Sequence, residues 1–308
     1  MPTTVHPLSE PDRAVMAATR ELLSSLPALP LAPESRPAYD EMIARTPTLD
    51  GARHEPGELA GVPGWWSRVE GAPTDTALLY LHGGGYVLGS AEAYRGAVGQ
   101  LAARAGVDAF APDYALAPEN AFPGALDDAV AVYDALVAQG RTRIALAGDS
   151  AGGGLALALL AQVRDRAVPP VVVAVVSPWT DLSLSGASLA TRADADPLLD
   201  RTRLAEAAAA YLVATDPTTP AASPLFGPLE APVPILIHVG ADEVLLDDAI
   251  RYAERAEQAG AEVDLHVWEG MLHVFTSNVA SLEAAVRATD HLGGFLATHL
   301  LDAAAGAR

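Results

Sequence analysis

The sequence contains neither cysteine nor lysine. Without a thiol it can form no disulfide, no thiolate metal site and no cysteine nucleophile. Without lysine it cannot build a phosphate loop of the Walker type, which needs that residue after its last glycine. All 19 cations are arginine, against 39 acidic side chains, and the formal charge of -20 at pH 7 opposes binding to phosphate backbones or anionic lipid. Nucleic acid is not an expected partner. Long apolar runs are missing too: residues 171–176 are strand-length and 151–163 carry three glycines, short of the ~20 residues a membrane span needs. The first twenty residues lack the basic start and apolar stretch of a secretory signal, so the expected location is the cytoplasm, with no stable membrane insertion.

Half of the 308 residues are hydrophobic, enough for one large core. From about residue 76, short apolar runs alternate with longer amphipathic segments, the pattern of an α/β fold with a parallel sheet. The predicted strands are 77–81, 107–111, 143–147, 171–176, 235–239 and 263–268. Helical periodicity fills the intervals, and a last helix places Leu282, Val286, Thr289, Leu292 and Leu296 on one face. Two regions break the rhythm. Residues 1–50 hold eight prolines around one helical stretch at 13–24 and read as an appendage, while a connection of over fifty residues follows the strand 171–176 and contains a helix predicted at 203–213.

Gly148-Asp149-Ser150-Ala151-Gly152 follows a predicted strand and precedes a predicted helix. A nucleophile on such a sharp turn needs small neighbours, and its hydroxyl then projects above the sheet at a helix N-terminus. His82-Gly83-Gly84-Gly85-Tyr86 directly follows the strand 77–81, the pattern of an oxyanion loop. The expected donors to a developing oxyanion are the backbone N–H groups of Gly83, Gly84 and Ala151, with His82 as a buttress of the loop. Of the eight histidines, His6 and His54 precede the core, His238 and His266 fall within strands, and His291 and His299 lie in the last helix. That leaves His273, in the loop after the last strand, as the expected base. Asp242, just past the strand 235–239, is the expected partner acid; Glu243, Asp247 and Asp248 compete with it, the latter two as charges at a helix start. The order Ser150, Asp242, His273 is that of α/β-hydrolases.

These residues, together with Asp113 to Glu119, Ser177-Pro178-Trp179 and Asp196-Pro197-Leu198, resemble the bacterial hormone-sensitive-lipase-like carboxylesterases, also called lipase family IV, in their Gly-Asp-Ser-Ala-Gly branch. The resemblance runs from about residue 76 to the C-terminus. It implies an α/β-hydrolase fold with an eight-stranded, mostly parallel sheet over residues 51–308, and a helical cap made of residues 1–50 and an insertion at about 182–222. It also implies hydrolysis of small-molecule esters through an acyl-enzyme, without metal or cofactor, and a homodimer through the last strand. Tyr86, Trp179, Leu198, Tyr211, Leu225, Phe226, Met271 and Leu272 are candidates to line the substrate pocket or simply to pack the core. One departure is Ala115, where the family usually has arginine, so an ion pair supporting the oxyanion loop is expected to be missing. The glycines do not distinguish esters from lactones or acetamides. A ligand-binding receptor on the same scaffold would lack the histidine, which is present here.

Overall fold

A computed structural model describes residues 3–229 and 233–301; the outermost residues of the two expected segments, 1–2 and 302–308, lie outside them. In chain order the elements are β1 (Thr3–His6), α1 (Glu10–Ser25), α2 (Arg36–Ile43), β2 (Ala52–Leu59), β3 (Val62–Val69), β4 (Thr76–Leu81), α3 (Arg95–Ala105), β5 (Ala109–Pro112) and α4 (Gly124–Ala138). There follow β6 (Arg143–Asp149), α5 (Ser150–Val163), β7 (Val172–Val176), α6 (Ser188–Thr191), α7 (Arg201–Leu212), β8 (Ile235–Gly240), α8 (Leu246–Gln258), β9 (Val263–Trp268) and α9 (Glu283–Leu301).

The strands form one nine-stranded sheet in the order β1-β9-β8-β7-β6-β4-β5-β3-β2. Pairing is parallel from β1 through β5 and antiparallel at the β5-β3-β2 end. The central strands are apolar throughout because both their faces are covered. Period-two alternation sorts their side chains: Leu78, Tyr80, Ala145, Val172 and Leu236 pack under α3 and α9, whereas Leu79, Leu81, Leu146, Val173 and Ile237 pack under α4, α5 and α8. The chain leaves β4 for β5 on one side and returns to β6 on the other. The crevice at the C-terminal ends of β4 and β6 is therefore the topological switch point, where open α/β sheets bind ligands.

Three strands depart from expectation. β2 and β3 form a hairpin through Ala60 and Gly61, both at positive φ, and were hidden by Pro56, Gly57, Pro63 and Gly64. β1 adds the ninth strand: Thr3 to His6 pair with Leu265 to Trp268, so the N-terminal segment is in part integral to the sheet. With β8 on one side and β1 on the other, β9 has no open edge, which corrects the expectation of a dimer formed through the last strand. The last helix also differs in detail. Val286 is exposed and the buried stripe runs instead through Ala285, Ala288, Thr289, Leu292, Leu296 and Leu300. Its N-terminus is capped from α1, where the buried Asp12 carboxylate accepts the N–H groups of Glu283 at 2.8 Å and Ala284 at 3.0 Å. Among the described residues no helix is long and apolar enough to cross a membrane.

Candidate active site

β6 ends at Asp149 in extended backbone and α5 begins at Ser150, whose φ of 52° places it in the left-handed region. Such a conformation costs a non-glycine residue about 1–2 kcal/mol, and close packing on both sides holds it. A Cβ at Gly148 would lie 2.5 Å from the Leu81 carbonyl, and one at Gly152 would lie 2.1 Å from Leu81 O and 2.2 Å from His82 O. Only glycine lets the turn lie this close to the end of β4, which carries the glycine loop.

Ser150 Oγ is 2.8 Å from His273 Nε2, and His273 Nδ1 is 2.5 Å from Glu243 Oε2. The residue opposite the imidazole is thus Glu243 and not Asp242. Asp242 Oδ2 instead accepts a hydrogen bond from Arg20 Nη2 at 2.6 Å. The longer Glu243 side chain turns inward and is fully buried. Its second oxygen, Oε1, accepts from Ser177 Oγ and from Gly240 N, both at 2.7 Å. Ser177 Oγ in turn accepts the N–H of Val274, the residue after His273, at 3.1 Å. The other competitors are occupied elsewhere: Asp247 accepts from Ser188 N at 3.0 Å, and Asp248 from Thr180 N and Asp181 N at 2.8 Å each.

Burial alone would push the His273 pKa down, but the charge and hydrogen bond of Glu243, helped by Asp196 and Asp149, outweigh it and hold the pKa above its ordinary value. Asp196 also braces the acid loop, its Oδ2 accepting Val244 N at 2.9 Å. Neither Ser177 nor Asp196 was singled out by sequence beyond its place in a motif.

Asp149 serves the glycine loop. Its buried carboxylate accepts Tyr80 OH at 2.7 Å, Tyr94 OH at 3.0 Å and Gly83 N at 3.1 Å. The Gly83 N–H is therefore turned inward and unavailable to an oxyanion, contrary to expectation. The N–H groups of Gly84, Gly85 and Ala151 have no acceptor among the described residues. His82 is fully buried and stacks on Tyr114 at 4.3 Å; burial lowers its pKa to about 4, so it is neutral near pH 7. A guanidinium still stands beside this loop despite Ala115. Arg36 of α2 donates to Val87 O at 2.8 Å and Ala117 O at 2.9 Å and forks onto Glu119 at 2.9 and 2.7 Å.

The eight candidate lining residues divide into two groups. Tyr86 stacks on Tyr211 at 3.9 Å between centroids, beside Trp179, whose backbone N–H donates to Ser150 O at 2.9 Å; Leu225 and Phe226 belong to the same cluster. Leu198, Met271 and Leu272 pack instead with Met16 of α1, Trp268 and Phe275.

A metal would have one histidine cluster to choose among the described residues, His238, His266 and His291, with ligand atoms within 4.8 Å of one another. The Nδ1 atoms of all three already lie at hydrogen-bond distance from a neighbour. Trp268 Nε1 donates to His238 Nδ1 at 2.8 Å, which puts the His238 proton on Nε2, 3.2 Å from His291 Nδ1. In a second row Arg287 Nη2 faces His6 Nδ1 at 3.3 Å and His6 Nε2 faces His266 Nδ1 at 2.7 Å. Both rows end at Asp264, 2.8 Å from His266 Nε2 and 3.7 Å from His291 Nε2.

The chain is similar to known proteins of the α/β-hydrolase fold. A family model described as alpha/beta hydrolase fold matches residues 78–277. The chain is 44% identical over 224 residues to an acetyl-hydrolase of Streptomyces hygroscopicus, covering 72% of this chain and 75% of the relative. It is 35% identical over 281 residues to an esterase of Acinetobacter venetianus, covering 89% and 92%. Among solved structures, an esterase from the bacterial hormone-sensitive lipase family superposes with a TM-score of 0.87 at 38% identity, covering 95% of this chain and 99% of that one.

Proposed function

Because this chain belongs to the α/β-hydrolase family, in its hormone-sensitive-lipase-like branch, we propose that Ser150, His273 and Glu243 are the triad of its ester-hydrolysing site. The protein is a serine carboxylester hydrolase acting on small esters. The observation that carries the assignment is the continuous row from Ser150 Oγ through the imidazole to a buried carboxylate, at the topological switch point of the sheet.

In this mechanism His273 Nε2 takes the Ser150 proton as Oγ attacks the acyl carbonyl. Glu243 fixes the other proton on Nδ1 and stabilises the imidazolium. The developing oxyanion is received by Gly84 and Ala151 N–H, with Gly85 in the place first given to Gly83. Each such donor typically contributes about 3–4 kcal/mol. His273 then returns the proton to the leaving alcohol, and water repeats the sequence on the acyl-enzyme.

The cap consists of the N-terminal segment beyond β1, up to about residue 50, and the insertion at about 182–222. Both cover the glycine loop: a Cβ at Gly85 would lie 3.3 Å from Leu31 and 3.5 Å from Ala207. The stacked, buried Tyr86 and Tyr211 beside Trp179 fill space near Ser150, which favours short acyl chains. We place the enzyme in the cytoplasm, and pairing of two copies through the sheet would use the outer edge of β1. The test is turnover of p-nitrophenyl esters from acetate to palmitate, with Ser150→Ala as control. A rate that peaks at a short chain and disappears in the variant is expected. A peak at long chains would contradict the pocket assignment, and full activity of Ser150→Ala would contradict the triad.

A further inference from the structure

Asp242, passed over as the triad acid, is one of three acceptors gathered by a single guanidinium. Arg20, on α1, donates through Nη2 to Asp242 Oδ2 at 2.6 Å and to Gly270 O at 3.2 Å, and through Nη1 to Ala195 O. Each acceptor adjoins part of the acid-base pair. Asp242 directly precedes Glu243. Gly270 begins the short turn leading to His273. Ala195 precedes Asp196, whose carboxylate holds Val244 N on the far side of Glu243 at 2.9 Å. The arrangement closes a ring around the acid, from Arg20 to Asp242, through Glu243 to Val244, across to Asp196 and back through Ala195. A further bond, Asp242 N to Met271 O at 3.2 Å, ties the acid loop to the base loop inside that ring.

The choice of residue follows from geometry. A planar guanidinium presents several donors in fixed directions, whereas an ammonium is a point charge on a flexible stem. The Arg20 and Asp242 side chains are 29% and 30% exposed, so the pair is screened less than one at the open surface. Helix α1 is held along its length by other contacts: Asp12 caps α9, and Met16 packs in the cluster of Met271, Leu272 and Phe275. Arg20 is where the helix reaches the loops that carry Glu243 and His273.

We propose that Arg20 is a positioning residue for ester hydrolysis, bridging the acid loop, the base loop and the cap insertion so that docking of helix α1 completes the Glu243–His273 pair. The proposal rests on the triad reading above. Arg20 contacts no reacting atom, so its removal acts on the alignment of His273 more than on substrate affinity.

The experiment compares Arg20→Met, Arg20→Lys, Asp242→Asn and the double variant R20M/D242N with the unmodified protein on p-nitrophenyl acetate. Arg20→Met is expected to lower kcat about tenfold, within the range that a small misplacement of a reacting group produces, with KM changed less than about twofold. The acid limb of its pH profile should move to lower pH, because a loosened Glu243 no longer offsets the burial of His273. Arg20→Lys should recover part of the rate, and free guanidinium should raise the rate of Arg20→Met but not that of the unmodified protein. Asp242→Asn should reproduce the loss, and the double variant should be no slower than either single one, as for two ends of one contact. Unchanged kcat and acid limb in Arg20→Met, losses that multiply in the double variant, or a rise in KM alone would each overturn the proposal. Should Arg20→Met fail to fold by circular dichroism, Asp242→Asn carries the test, and a folded Asp242→Asn with unaltered kcat would refute it. Ser150→Ala in the same assay separates the two readings. If it stays active the triad fails, whereas an inactive Ser150→Ala beside a fully active Arg20→Met removes only the role of Arg20.

Discussion

Replacing Glu243 with glutamine exchanges one carboxylate oxygen for an amide nitrogen, and its surroundings decide which one. Ser177 Oγ and Gly240 N both donate to Oε1, so the amide oxygen must stay there. The NH2 group then takes the place of Oε2, 2.5 Å from His273 Nδ1. An amide NH2 can only donate, so Nδ1 must accept and the ring proton moves to Nε2, where it faces Ser150. The base is thereby held in the tautomer that cannot take the serine proton. Comparable changes in serine hydrolases lower kcat about 10³- to 10⁴-fold, or about 4–5.5 kcal/mol of transition-state stabilisation. The assay is steady-state hydrolysis of p-nitrophenyl acetate across pH, with circular dichroism as the folding control. In the unmodified protein His273 is held above its ordinary 6.5, so activity should rise with pH with a midpoint above that value. In the glutamine variant only Asp196 and Asp149 still oppose burial, and the midpoint of the residual activity should move to lower pH than in the unmodified protein. Asp242→Asn should cost only about tenfold, as expected for a group that acts through alignment. If the two variants exchanged these results, with Asp242→Asn lowering kcat a thousandfold and Glu243→Gln barely reducing it, the assignment of the acid would be wrong.

Two further predictions concern stability. Asp12→Ala leaves the first N–H groups of α9 without their buried acceptor and should destabilise the fold by about 1–2 kcal/mol, as for loss of a helix cap; an unchanged urea midpoint would count against this capping role. β1 should loosen in acid. His6 is held neutral in the docked strand, its pKa lowered to about 4 by burial, by His266, Arg287 and His291, against a weaker opposite pull from Asp264. The detached strand takes up its proton near 6.5, so the docked state loses stability as pH falls from about 6.5 toward 4. Hydrogen exchange of β1, corrected for intrinsic rates, should show less protection relative to β8 at pH 5 than at pH 7, and equal relative protection would refute the sign.

The six inner parallel strands were legible because covering both faces of a sheet demands continuous apolar runs. The hairpin of β2 and β3 is broken by prolines and glycines, and β1 has only four residues, of which Val5 is 55% exposed, so neither leaves a run to read. The β5 boundary moved by two residues because Val107 N still bonds to Ala102 O at the end of α3. At the site, Ser150 and His273 could be found because a strand-to-helix turn and a loop after a strand restrict where they stand. The acid could not. Asp242 and Glu243 are adjacent carboxylates on one loop, and which turns inward depends on Arg20 and Ser177, 222 and 66 residues away in the chain. The direction of the Gly83 N–H was equally illegible, since it depends on Asp149 reaching back across the sheet.

The proposed nucleophile is Ser150, activated by His273 and held to it by Glu243. The most direct test of this assignment is labelling with a fluorophosphonate followed by peptide mapping, in the unmodified protein, in Ser150→Ala and in Glu243→Gln. A single adduct on Ser150 is expected, none in the alanine variant, and labelling slowed roughly in proportion to kcat in the glutamine variant. An adduct on another residue, or labelling of Ser150 at full rate without Glu243, would contradict it.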